Sequence, residues 1–204
     1  MTRSALQQIA QEPTPTPRMS SAEIGVFVDL MRETNCYLEY GAGGSTILAV
    51  KSPVKQIVSV ETDFGWIELL QKNEVIAAAI GSRRLTFRHI DVGPVGGWGV
   101  PKGEEKIRKW PRYALDPFLS TDLDFDTILV DGRFRVHCLL AIVNCASQKA
   151  RIFLHDYSFR HGYSIADKYF DTIERVDSSV VLKIRADVNH RSLYIDLISS
   201  LFAV

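Results

Sequence analysis

Five short apolar runs, each meeting a carboxylate at or just past its end, alternate along this chain with segments of helical period. Cys36-Tyr37-Leu38 reaches Glu39, Ile57-Val58-Ser59-Val60 reaches Glu61, and Arg84 to Ile90 reaches Asp91. Thr127 to Val130 reaches Asp131, and Ile152-Phe153-Leu154 runs through His155 to Asp156. Helix-compatible residues lie between them: Ser45 to Val50, the stripe Trp66, Leu69, Leu70 and Val75, and Val136 to Ala146. A strand covered on one face alternates apolar and polar residues, whereas these runs are nearly continuous. They therefore belong in a parallel sheet with helices on both faces, an α/β fold. Open sheets of this kind bind ligands outside the carboxyl ends of their strands, so the five acids are expected to ring one cleft. The plainer reading of each acid is a helix cap or turn residue.

The C-terminal part changes pattern. Thr172 to Val176 and Val180 to Arg185 flank Asp177-Ser178-Ser179 as an antiparallel hairpin, and Leu193, Leu197, Ile198, Leu201 and Phe202 fit a helical stripe. Residues 1–19, with Pro13, Pro15 and Pro17, read as an N-terminal arm, and residues 20–204 as one domain. Ser20 with Glu23 forms a capping box ahead of Ile24, Phe27, Val28 and Met31.

Charge and length exclude several function classes. Lys plus Arg and Asp plus Glu both count 24 in 204 residues, so no global field recruits nucleic acid or an anionic membrane. The longest stretch without a formal charge, residues 136–148, contains His137 and Asn144 and falls short of the roughly 20 residues of a membrane helix. The first twenty residues lack the apolar segment of a secretory signal, so a cytoplasmic protein is expected. Cys36, Cys138 and Cys145 have no metal spacing and read as small core hydrophobes.

The turn Glu39-Tyr40-Gly41-Ala42-Gly43-Gly44-Ser45 follows a strand and opens a helix, with glycine where a backbone must turn and let a ligand approach. Glu61 lies at the separation from Gly41 at which a second-strand carboxylate can meet a ribose. Together they suggest a nucleoside-containing cofactor; the alternative is a turn that merely joins strand to helix. The dinucleotide pattern G-x-G-x-x-G fails at its third glycine, where Thr46 stands.

An acid two residues before G-x-G, with a small residue after, resembles the first motif of class I S-adenosylmethionine-dependent methyltransferases. Ile128-Leu129-Val130-Asp131-Gly132 and Ile152-Phe153-Leu154-His155-Asp156-Tyr157 are similar to the VDG and LHDY segments of a subgroup related to catechol-type O-methyltransferases. The usual Pro-Gly-Gly turn before the fifth strand is replaced by Ala146 to Ala150. The resemblance implies a Rossmann-like methyltransferase fold that binds S-adenosylmethionine through Glu39, Gly41, Gly43, Ser45, Glu61 and Asp91. It implies a transferase that methylates an oxygen or nitrogen of a small molecule. It also implies magnesium held by Asp131 and Asp156, although the third ligand position is Tyr157, a poor magnesium ligand. Without a metal, Asp131 or His155 is the expected general base.

Residues 93–124 form a long connection of glycines, aromatics and basic residues, read as a lid or substrate loop. An Ω-loop or a homodimer contact is the alternative. Trp98, Arg133 and Tyr157 are the expected substrate contacts; Arg133 and Arg135 either bind an anionic group or pair with local acids. Two other functions stay open: a non-catalytic binding protein of the same fold, and an NAD(P)-dependent oxidoreductase, against which Thr46 counts.

Overall fold

The apolar runs form the strands of one seven-stranded sheet in a computed structural model that describes residues 15–159 and 161–204. Residues 1–14 of the expected arm lie outside the described residues. The strands are β1 (Cys36–Tyr40), β2 (Gln56–Glu61), β3 (Leu85–His89), β4 (Thr127–Val130), β5 (Arg151–Leu154), β6 (Phe170–Val176) and β7 (Ser179–Ile184). Their spatial order is β3-β2-β1-β4-β5-β7-β6. The first five run parallel, and β7 is antiparallel to both β5 and β6, as the C-terminal hairpin pattern anticipates. From β1 the chain winds outward to β3, then returns to β4 on the other side of β1. The sheet therefore reverses its winding between β1 and β4, the place where open α/β sheets leave a crevice.

The helices are α1 (Ser21–Arg32), α2 (Gly44–Lys51), α3 (Phe64–Gln71), α4 (Glu74–Gly81), α5 (Arg112–Ser120), α6 (Arg135–Cys145), α7 (Ile165–Tyr169) and α8 (His190–Ser199). Side-chain alternation along the strands decides what each face buries. On one face Tyr37, Leu129 and Phe153 meet Phe27 and Met31 of α1, Ile47 of α2 and Ile76 of α4. Phe27 packs edge-on against the rings of Tyr37 and Phe153, at 5.9 and 6.0 Å. On the other face Leu38, Val130 and Leu154 meet Tyr113 of α5, Leu139 of α6 and Leu193 of α8. No helix among the described residues is long and apolar enough to cross a membrane.

Two elements depart from the sequence reading. The stripe from Trp66 to Val75 is two helices, because Asn73 interrupts it and accepts from the amides of Val75 (3.1 Å) and Ile76 (3.4 Å) as the cap of α4. The long connection carries α5 despite Pro117, and its aromatics divide between two roles. Trp110 and Tyr113 are buried against Phe134, and the Trp110 indole donates to the Val92 carbonyl at 3.0 Å. Trp98 remains 69% exposed.

Glu23 does more than close its capping box. Its Oε2 accepts from the Ser20 amide (2.8 Å), while its Oε1 accepts from the Ser178 amide (3.1 Å) and the hydroxyls of Ser178 and Ser179 (both 2.7 Å). One carboxylate thus ties α1 to the β6–β7 turn. Burial opposes its charge, but the bonds from Ser178, Ser179 and Ser20, with the His155 imidazole nearby, win and hold its pKa at about 2. A carboxyl depressed from 4.5 stabilises the fold above pH 4.5, and that contribution is lost as pH falls towards 2. Glu23→Gln is expected to lower unfolding free energy at pH 7 by about 1–3 kcal/mol. Urea titrations at pH 7, 4 and 3 should show the difference from wild type narrowing as pH drops; a constant difference removes Glu23 from the pH response.

Candidate functional site

The turns that follow the two strands flanking the winding reversal each carry a glycine, and these turns touch. Gly41 follows β1 with φ +99°, a left-handed conformation that costs other residues strain. A Cβ on Gly41 would stand 2.7 Å from both Cα and N of Gly132, which follows β4. A Cβ on Gly132 would stand 2.1 Å from the Tyr113 hydroxyl. Gly44 is covered as well, because its Cβ would meet the backbone of Thr16 and Pro17 at 2.3 and 2.1 Å. Gly43 differs: a Cβ there has nothing within 4 Å. Of the glycines in this turn, Gly41 and Gly44 serve the packing of the protein, and Gly43 faces space.

Glu39 lies inside the protein, beneath the turn. It shares a strand face with Tyr37, whose hydroxyl donates to it at 3.2 Å. Ser59 (2.7 Å), Ser45 (2.9 Å) and Thr46 also donate hydroxyls to its carboxylate. Burial drives its pKa up to about 7, with the bonds from Thr46, Ser59, Ser45 and Tyr37 countering that rise. Thr46 also accepts from the Gly43 amide at 2.9 Å. The residue that spoils the dinucleotide pattern is therefore a link from Glu39 to the turn.

Glu61 braces the turn from the other side. Its Oε2 accepts from the Ala42 amide at 3.1 Å, and its Oε1 from the amides of Thr62 (2.6 Å) and Asp63 (3.0 Å) and the Thr62 hydroxyl (3.1 Å). Burial raises its pKa against those bonds. Trp66 completes the brace by donating its indole N–H to the Ala42 carbonyl at 2.8 Å. The single Thr62 hydroxyl proton is shared between Glu61 and the Gly99 carbonyl, 2.9 Å away, which brings the connection onto the end of β2. Trp98 therefore sits on the Glu61 side of the glycine turn, left-handed at φ +62°, with the Arg18 guanidinium 4.3 Å above its ring. Asp91, past the end of β3, bonds Lys106 of the same connection, and this holds its carboxyl below its usual pKa.

The five carboxylates consequently do not ring one cleft. Glu39 points into a sheet face, Asp91 is engaged by the connection, and Asp131 and Asp156 belong to a second group around Arg135 and His155. Asp131 Oδ1 takes the His155 Nδ1 contact at 2.9 Å and the Arg135 Nη2 contact at 3.0 Å. Asp156 lies 3.5 Å from both Arg135 Nη1 and His155 Nδ1. The far ring nitrogen of His155 faces Glu23 at 3.8 Å. Burial disfavours a charged imidazole, but the Asp131 bond and the charges of Asp131, Asp156 and Glu23 raise the pKa of His155 above its ordinary value. Phe134 (φ +51°) and Asp156 (φ +59°) are both left-handed, so the backbone is strained on either side of this group.

Asp131, His155 and Asp156 offer ligand atoms within 4.8 Å of one another, yet the set does not fit magnesium. Magnesium takes oxygen ligands in octahedral geometry and keeps waters. Here the buried Arg135 guanidinium already faces both carboxylates, and the remaining donor is an imidazole turned to them. Tyr157, at the third expected position, donates to Asp167 at 2.7 Å and stacks with Arg175 at 5.0 Å, away from the group. Arg133 lines a cavity of about 40 Å³ together with Gly132, Arg135 and Tyr163. That cavity shares Val136 and Ala203 with a larger one of about 490 Å³ between α6, α7 and α8. Sequence reasoning missed Thr46, Trp66 and the reach of Glu23; only the glycine of Val130-Asp131-Gly132 signalled the contact with Gly41.

No protein-family model and no curated protein matches the chain. Solved structures do. A methyltransferase-like protein from Silicibacter pomeroyi is 27% identical, with a TM-score of 0.82 over 94% of this chain and 99% of its own. A methyltransferase from Geobacter sulfurreducens is 13% identical, with a TM-score of 0.54 over 83% of this chain and 82% of its own. An SAH-bound methyltransferase from Podospora anserina is 17% identical, with a TM-score of 0.52 over 82% of this chain and 80% of its own. The fold is the Rossmann-like methyltransferase fold.

The turn itself makes a prediction. Gly41→Ala adds both strain and a backbone clash and is expected to cost about 2–4 kcal/mol, whereas Gly43→Ala should stay within about 1 kcal/mol of wild type. Equal losses in chemical denaturation would contradict the distinction between a packed and an open glycine.

Proposed function

We propose that the chain is an S-adenosylmethionine-dependent methyltransferase acting on an oxygen or nitrogen of a small molecule. The observation that carries this reading is Gly43, which leaves open space where a side chain would stand, in a turn braced by Glu61 at the crevice of a methyltransferase fold. A cofactor cradled by backbone needs such a gap, and the fit is local to residues 41–46. The likeness to the Silicibacter pomeroyi protein over nearly the whole of both chains adds support.

When bound, the cofactor supplies a methyl carbon on a sulfonium, an electrophile strong enough that no nucleophilic residue is needed. The chain has three tasks: to hold the cofactor, to align an acceptor and to receive its proton. Gly43 permits the backbone approach, and Glu61 Oε2 retains acceptor capacity for a sugar hydroxyl beyond its bond to Ala42. Glu39, Ser45 and Thr46 fix the turn from behind. Asp131, partly exposed beside the small cavity at Gly132 and Arg133, is the group placed to receive the proton. His155, with Nδ1 2.9 Å from Asp131 Oδ1, orients that carboxylate and serves as its partner. Because the small cavity is too small for a substrate, the acceptor would extend into the adjoining 490 Å³ space, a volume suited to a small molecule.

A second reading has its own observation. Asp131 Oδ1 is already shared by two donors, which suits a protein that binds the cofactor without turnover.

Calorimetry with S-adenosylmethionine, S-adenosylhomocysteine and NADH separates these readings from the oxidoreductase. Binding of the two adenosyl ligands alone is expected; binding of NADH alone overturns the assignment. Gly43→Val should keep the wild-type melting temperature and lose adenosyl binding by about tenfold or more, since the side chain fills the open space. Asp131→Asn should retain cofactor affinity while turnover in an acceptor screen falls by about 10²–10⁴. Cofactor binding with no turnover of any acceptor by the wild type would favour the binding-protein reading.

A further inference from the structure

We propose that the Arg135 guanidinium is a built-in cation for the strand-end acids, occupying the place a divalent metal would need, so that Asp131, His155 and Asp156 form a metal site only when that side chain is removed. The inference concerns the acceptor side of the site and rests on the reading of Asp131 given above; its metal measurements do not.

The geometry of Arg135 is that of a fixed group. Nε donates to the Gly132 carbonyl at 2.9 Å, Nη1 to the His155 carbonyl at 2.7 Å and Nη2 to the Asp131 carbonyl at 2.7 Å. These three bonds span the ends of β4 and β5, and they use the planar fork of the guanidinium in a way an ammonium cannot reproduce. The same two terminal nitrogens face the carboxylates, at 3.0 Å for Asp131 and 3.5 Å for Asp156. Arg135 is 6% exposed, so its charge is little screened and its departure from the group is costly. The ring of Tyr163 closes one side, 5.9 Å from the guanidinium carbon.

Two further groups, His155 and Glu23, complete the local charge. His155 Nδ1 faces Asp131 and Asp156, and Nε2 faces Glu23, so neither nitrogen presents a lone pair to empty space. Two basic side chains thus stand among three carboxylates without any ion from solution. A divalent cation entering this group would meet a guanidinium a hydrogen-bond length from its own ligand. Removing the guanidinium leaves three ligand atoms within 4.8 Å, two carboxylates and an imidazole, a donor set that suits manganese or zinc better than magnesium.

Arg135 is on this account a positioning residue. It sets the orientation of Asp131 and the left-handed turn at Asp156, and it acts on the acceptor through them.

Metal binding tests this directly. Wild-type protein titrated with manganese and with zinc, by calorimetry and by manganese electron paramagnetic resonance, is expected to show no site at this group. Arg135→Ala is expected to bind at least one of the two ions with about tenfold or greater gain in affinity, lost again in Arg135→Ala with Asp131→Asn. Arg135→Gln, which keeps a planar amide, provides a second test should the alanine variant fail to fold. Guanidinium added at millimolar concentration should displace the ion from the alanine variant and, if the methyltransferase reading holds, restore part of its turnover, a readout that a merely structural role would not move. Wild-type binding of manganese or zinc that disappears in Asp131→Asn would overturn the proposal, as would folded Arg135 variants that bind no ion at all. Because these titrations need neither cofactor nor acceptor, their failure is separate from failure of the methyltransferase reading.

Discussion

Everything at the crevice depends on two backbones meeting without side chains between them. β1 and β4 are neighbours whose following turns meet at the carboxyl ends of the strands, and only glycine at 41 and 132 lets them do so. This contact fixes where Gly43 and Ala42 lie, and hence where Glu61, Trp66 and Thr46 can reach them. It also fixes where Asp131 emerges, one residue before Gly132. The glycine turn and the Asp131 group are therefore two margins of one steric constraint.

Burial then determines what each acid can do. Glu39 has four hydroxyl donors and no access to water, so it serves as an internal anchor. Glu61 is nearly as buried but takes its bonds from the backbone amides of Ala42, Thr62 and Asp63, so it braces the turn. Asp91 is solvent-accessible and held by lysine from the connection. Asp131 and Asp156 share basic partners. The same residue type at five strand ends yields a core anchor, a turn brace, a surface pair and a charged group.

The strands, their parallel order and the C-terminal hairpin were legible because apolar periodicity reports burial, and burial is what a sheet covered on both faces imposes. The glycine turn was legible because so few residues can occupy it. What the sequence could not show was direction. Glu39 read as a ligand because its place in the chain is that of a strand-end acid, yet strand alternation turns it inward alongside Tyr37. Tyr157 follows Asp156 in sequence but swings towards Asp167. Pro117 hid α5, and Asn73 hid the break between α3 and α4. The bonds from Glu23 to Ser178 and Ser179 join residues 155 and 156 positions apart, a pairing that no local pattern encodes.

That last separation bears on how the chain folds. Helix α1 precedes every strand in the chain, but the serines that bond its buried carboxylate come only after six strands and most of the helices. Loop closure over such a span is slow, and contacts of this range weigh on folding rate more than on final stability. Without the β6–β7 turn, the first helix keeps the Ser20 bond to Glu23 but loses the three bonds from Ser178 and Ser179. The bonds from Ser178 and Ser179 make α1 a clasp between the two ends of the described chain.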